Sequence, residues 1–192
     1  MVEQTVGIVL AAGASQRMGM PKALLRGADG IPLAVRQTAV LAAGGCAPVA
    51  IVLGAESERI RQELPATLRV VENTRWAQGR ATSVQAGIVA FPEATGFLFM
   101  PVDAVGVKPE TVRAILAAAA REPAAIWRPV YQAAKGNLLW VSAAAAHELL
   151  NLPPDARVDD WARPQARTLA VDDPAILRNI NTPAEWAAFA AQ

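Results

Sequence analysis

The sequence predicts an α/β fold: three layers, α/β/α, around a doubly wound and mostly parallel sheet. Three observations carry this. Short uncharged apolar runs alternate with longer helical segments. The runs VGIVL, VAIVL and GFLFM lack polar alternation, as expected of strands covered on both faces. Each run stops at glycine or proline punctuation.

The elements follow in order. Val6 to Leu10 is the first strand and Pro32 to Ala43 the first helix, stopped by Gly44 and Gly45. Val49 to Leu53 is the second strand. Ser57 is expected to cap a helix running towards Leu64. Leu68 to Val71 is the third strand, and Thr82 or Ser83 is expected to cap a helix ending near Phe91. Gly96 to Met100 is the fourth strand, and Pro109 opens an alanine-rich helix to Ala120. The rhythm then weakens. Ala124 to Val130 and Asn137 to Ser142 read as strands around a turn at Ala134, Lys135 and Gly136. Ala143 to Leu150 reads as a short helix and Asn151 to Arg167 as loop. A strand over Arg167 to Val171 and a helix from Pro183 close the chain. No repeat or long linker divides it. One domain over 1–192 is expected, with 106–192 elaborating the first half.

Composition bounds the function. The net charge is +1 over 192 residues, which leaves no broad basic surface for nucleic acid or an anionic membrane. Any anion must be held locally. The single cysteine, Cys46, excludes an internal disulfide framework and a cysteine zinc cluster, and its apolar setting predicts a buried thiol. No secretory leader or membrane-length apolar run is seen, so a cytoplasmic location is expected. His147, the only histidine, sits in a short apolar helix and reads as structural.

The stretch LAAGASQRMGMPK, Leu10 to Lys22, leaves the first strand through small residues and delivers Arg17 and Lys22. Accessible backbone N–H groups from Ala11 to Ser15 suit an anion. Arg17 can fork onto phosphate oxygens, and Lys22 adds a point charge. Neither GxxxxGK[ST] nor GxGxxG is present.

The whole string resembles the signature loop of the molybdenum cofactor nucleotidyltransferases, and is closest to the cytidylyltransferases among them. The blocks Asn73-Thr74-Arg75-Trp76-Ala77-Gln78-Gly79, Pro101-Val102-Asp103 and Asn179-Ile180-Asn181-Thr182-Pro183 extend the resemblance over nearly the full chain. It implies a Rossmann-like nucleotidyltransferase fold, with 1–105 binding a nucleoside triphosphate and 106–192 binding the acceptor. An acceptor phosphate would attack the α-phosphorus and release pyrophosphate, chemistry that needs alignment and charge stabilisation.

By this resemblance Leu10, Ala11, Ala12, Gly13, Ser15, Gly79 and Ser83 bind the nucleotide, and Arg17, Lys22 and Asp103 are catalytic. Gly79 would let the base approach closely. Asp103 and Asn181 would hold magnesium, with manganese as the alternative. Asn181 offers a neutral amide where relatives often carry aspartate. Ala12 in the third loop position goes with CTP rather than GTP. Arg128, Tyr131, Lys135 and Asn137 fall where relatives contact the acceptor. Arg157, Arg163 and Arg167 read as a solvated face. The acceptor implied is molybdopterin-like. A sugar 1-phosphate or alcohol phosphate, a GTP-using version, or a non-catalytic partner of a molybdoenzyme or its insertion chaperone are the alternatives.

Overall fold

The computed structural model describes residues 4–122 and 126–191. β1 (Thr5–Ala11), α1 (Leu33–Ala43), β2 (Val49–Leu53), α2 (Ser57–Glu63), β3 (Val70–Glu72), α3 (Arg80–Val89), β4 (Gly96–Pro101) and α4 (Pro109–Arg121) alternate as expected. The second half adds β5 (Ile126–Tyr131), β6 (Ala134–Lys135), β7 (Leu139–Ser142) and α5 (Ala143–Leu150), then α6 (Val158–Ala162), β8 (Arg167–Ala170) and α7 (Pro183–Ala190). Ala124 and Ala125, expected to open the fifth strand, lie outside the described residues.

One eight-stranded sheet runs β3-β2-β1-β4-β7-β5-β6, with β8 added on β5. β1 pairs in parallel with β2 and β4, and β2 with β3. β7 is antiparallel to β4 and β5, because it returns from a hairpin rather than through a crossover helix. The strand order reverses at β1 and β4. Leu10 stands beside both Val52 and Pro101, so the carboxyl ends of three strands finish together.

Period-two burial explains the two cores. Val9, Ala11, Ile51, Leu53, Leu98 and Met100 point into one, with Leu33 and Leu41 of α1 and Val112 and Ile115 of α4. Val6, Ile8, Ala50, Val52, Phe97 and Phe99 point into the other, with Val84 and Ile88 of α3 and Leu149 of α5. Each Val, Leu, Ile, Met or Phe among them contributes about 1.5–3 kcal/mol through burial.

Four expectations are corrected. Ser57 does not cap α2. Glu56, at φ 53°, precedes the helix, and the Ser57 hydroxyl donates to Glu72 Oε1 at 2.9 Å. Thr82 and Ser83 lie inside α3, whose first flanking residue is Gly79. The Asn73 side-chain amide donates to both hydroxyls, at 2.9 and 3.0 Å, so they tie the helix to the end of β3. The hairpin turn falls on Gln132 and Ala133, at φ 47° and 66°, while Ala134 and Lys135 already pair with β5. Neither turn residue is the glycine or asparagine that usually marks such a turn. The stretch read as loop contains α6, with Asp159 and Asp160 favouring its amino end.

No helix among the described residues is long and apolar enough to cross a membrane. Cys46 is buried, and burial pushes its thiol up to about 12 from 9.0. Above the ordinary value the unfolded chain loses this proton while the native chain keeps it, so stability falls as pH rises from 9 towards 12. Between about pH 8 and about pH 10 the urea midpoint should therefore drop further for the wild type than for Cys46→Ala. A disulfide reagent should label Cys46 only on unfolding.

Candidate active site

After β1 the chain is anchored and then released. The Ala12 carbonyl accepts from Ala55 N–H at 3.0 Å, and Ala12 packs into the α3-side core. Ser15 takes φ 50° and its carbonyl accepts from Met18 N–H at 2.8 Å. Met18 is buried, and Gly19, at φ 74°, turns the chain towards Pro21. The Ser15 hydroxyl then accepts from Lys22 N–H at 3.1 Å. Between these anchors the backbone N–H groups of Gly13, Ala14, Ser15, Gln16 and Arg17 have no acceptor among the described residues.

Lys22 closes the cleft. Its ammonium donates to Asp103 Oδ2 at 2.6 Å and to Asn181 Oδ1 at 3.0 Å. Arg17 Nη2 reaches the same Asn181 oxygen at 3.3 Å. The segment before α7 is pinned from two sides. Ile180 N–H donates to the Asp103 carbonyl at 3.1 Å. Glu185 Oε2 accepts from Asn181 N–H and Thr182 N–H, and the Thr182 hydroxyl caps α7 in return. The Asn181 and Thr182 amides hold the Glu185 carboxyl below its usual value.

These residues line a cleft of about 430 Å³ beyond the carboxyl ends of β1 and β4. Leu10, Ala11, Ala12, Gly13, Ser15, Lys22, Gly79, Ser83, Asp103 and Asn181 all face it. Arg17 lines an adjoining outer space that shares Gly13, Ser15, Lys22, Trp76 and Asn181 with the cleft. This is the crevice where an open parallel sheet offers helix and loop amides to a ligand.

Gly79 has a second reason to be glycine. At φ 145° a side chain there would collide with the Pro154 carbonyl. Glycine is thus needed for the passage of the 153–156 segment, and it also lines the cleft. Ser83 remains on the cleft wall with its hydroxyl accepting from Asn73. Gly13 has open space where a side chain would stand.

Gln37 escaped the sequence reading. It is buried, and its side-chain amide donates to the carbonyls of Val102 at 3.0 Å and Ala104 at 2.7 Å. These flank Asp103, so Gln37 sets that carboxylate from behind. Leu33, Gln37 and Leu41 share one stripe of α1, all buried; an amide on an apolar stripe was the available signal.

In the second half of the chain, Arg128, Lys135, Asn137, Arg157 and Arg163 line one polar cavity of about 380 Å³. Tyr131 instead packs against the core, and Arg167 pairs with Glu122. His147 is exposed on α5.

Residues 7–169 match the model of the MobA-like NTP transferase domain. The chain belongs to this family. The nicotine blue oxidoreductase of Paenarthrobacter nicotinovorans is 37% identical over 113 residues, covering 57% of this chain and 54% of that protein. The bifunctional IPC transferase and DIPP synthase of Rubrobacter xylanophilus is 37% identical over 131 residues, 64% of this chain and 29% of that one. The chain therefore spans about half or less of these curated relatives. The crystal structure of Rv0371c from Mycobacterium tuberculosis superposes with a TM-score of 0.84 at 26% identity, covering 98% of this chain and 99% of that one. Rv0371c has also been solved in complex with manganese. The family match thus extends from β1 into β8, past the last strand of the sheet's parallel half.

Gln37→Leu should leave two buried carbonyls unpaired and lower stability by about 1–3 kcal/mol, read from urea unfolding. Its far-ultraviolet circular dichroism should stay native.

Proposed function

We propose that this chain transfers a nucleoside monophosphate, CMP in preference to GMP, from a nucleoside triphosphate to a phosphorylated acceptor. The observation that carries this is the run of five unpartnered amides beside Lys22 and Arg17 at the sheet's switch point. Such amides, cost-free to orient because the loop is already anchored, suit the β- and γ-phosphates. Arg17 and Lys22 stand where charge collects as pyrophosphate leaves.

In the reaction an acceptor phosphate oxygen bonds to the α-phosphorus as the bond to the bridging β-phosphate oxygen breaks. The departing electrons reside on pyrophosphate, and no proton need move. No general base is required, which accords with the exposed position of the only histidine.

The donor set fits a hard divalent cation shared with phosphates. Asp103 Oδ2 and Asn181 Oδ1 converge on one point, held by the Lys22 ammonium at 2.6 and 3.0 Å. No cluster of three or more His, Cys, Asp or Glu among the described residues could hold a metal by itself. Magnesium, or manganese, would be held by Asp103 and Asn181 with nucleotide oxygens completing the shell, and would neutralise triphosphate charge. Arg17 also touches Asn181, so it can restrain this amide while it reaches for phosphate.

Ala12 supports CTP. Ala12 lines the cleft, and by the family resemblance alanine rather than glycine at this loop position goes with CTP. The acceptor is a small phosphate ester, molybdopterin-like by the family's reading, with an alcohol phosphate as the reading the Rubrobacter relative favours. That a relative bears an oxidoreductase name supplies a second reading. NAD(P)H consumption without pyrophosphate release would establish it.

With CTP, magnesium and a panel of phosphorylated acceptors, pyrophosphate release should exceed that with GTP. Asp103→Asn should reduce the rate by about 10²–10³-fold with the fold intact. Undiminished turnover in that variant would remove Asp103 from the site.

A further inference from the structure

Beside the nucleotide cleft lies the polar cavity of about 380 Å³, and Arg80 and Asn179 line both. Asn137 Nδ2 donates to Asn179 Oδ1 at 3.1 Å, which ties the floor of one to the rim of the other. Five cations line the cavity: Arg80, Arg128, Lys135, Arg157 and Arg163. Their sequence positions are scattered over α3, β5, β6 and the region around α6, so only the fold gathers them.

A solvated basic face would leave each cation in water. Arg128 does not behave so. Its side chain is only 12% exposed, and Nη2 donates to Asp159 Oδ1 at 2.7 Å. Its Nε is buried and has no partner, alone in this among the buried side-chain atoms of the described residues. Nε and Nη2 form the edge of a guanidinium that takes an oxyanion through two parallel bonds, and here half of it is used. Buried polar atoms are nearly always paired, so an orphan N–H on a residue that lines a cavity marks a place for an acceptor atom.

The surrounding charge agrees. The Lys135 and Arg80 side chains have no hydrogen bond or ion pair among the described residues. Arg157 and Arg163 share Asp160, at 3.3 and 2.7 Å. Burial raises the Asp159 carboxyl, but the Arg128 hydrogen bond and the charges of Arg128, Arg80 and Arg157 outweigh it and hold it below its usual value. Five cations thus face two carboxylates.

Resting on the nucleotidyltransferase reading, we propose that this cavity binds a second oxyanion of the acceptor. The substrate class is then a bis-anion: one phosphate attacks the nucleotide, and a phosphate or carboxylate elsewhere on the molecule docks against Arg128, Lys135 and Arg163. A phosphate whose remainder bears only hydroxyls offers Arg128 a neutral acceptor in place of a bidentate oxyanion and binds more weakly.

The test compares two small probes of similar size, glycerol 1-phosphate and 3-phosphoglycerate, by calorimetric titration of the full chain. The carboxylate-bearing probe should bind at least about tenfold more tightly. The exposed-side variant Lys135→Ala/Arg163→Ala should remove most of that preference while CTP affinity stays as in the wild type. Arg128→Gln, checked for native circular dichroism, should do the same. Equal affinities for the two probes, or a preference that survives in the variants, overturns the proposal. CTP titration is read separately. Absence of CTP binding would sink the nucleotidyltransferase reading, and with it the acceptor role, whereas the probe comparison alone decides whether the cavity takes a second oxyanion.

Discussion

Three parallel strands ending in register is the constraint on which the cleft depends. Leu10, Val52 and Pro101 stand side by side, so the loop after β1 and the turn after β4 leave the sheet at one place. Lys22 and Asp103 are 81 positions apart and meet at 2.6 Å for that reason alone. Both side chains are largely buried, so the cost of desolvating them offsets much of their attraction, and that attraction alone would not assemble the site. The apolar faces of β1, β2 and β4 do so, and the ion pair records the result.

Much of this was legible in the chain. Apolar runs without polar alternation identified β1, β2 and β4, because strands buried on both faces have no wet side to mark. The loop after β1 was legible as a candidate site because small residues and two cations fall in one short stretch. Gln37 was less so, since its partners are backbone carbonyls 65 and 67 positions away. Thr82 and Ser83 carried the usual chemistry of a cap. The Asn73 amide uses their oxygens instead, and that contact exists only once β3 and α3 are side by side. The Gln132–Ala133 turn has no residue suited to positive φ. Its conformation is imposed by the antiparallel pairing of Val130 with Lys135.

Charge illustrates the same limit. A net charge of +1 argues against a broad basic surface. It says nothing of how cations distribute once folded. Arg128 on β5 and Arg157 and Arg163 around α6 converge because β5 lies beside β7 and the α6 segment returns across the α3 side of the sheet. Two differently furnished spaces result: one walled by backbone amides and small side chains, the other by guanidinium groups. Asn179 stands between them.

The passage of the Pro154 carbonyl over Gly79 couples regions that the chain keeps 75 residues apart. Gln85 strengthens the coupling, donating to the carbonyls of Leu149, Leu150 and Leu152 just upstream. Diversification of the surface around α6 is thereby tethered to the opposite wall. A change in the path of the chain at Pro154 must keep this crossover or reshape the cleft wall at Gly79 with it.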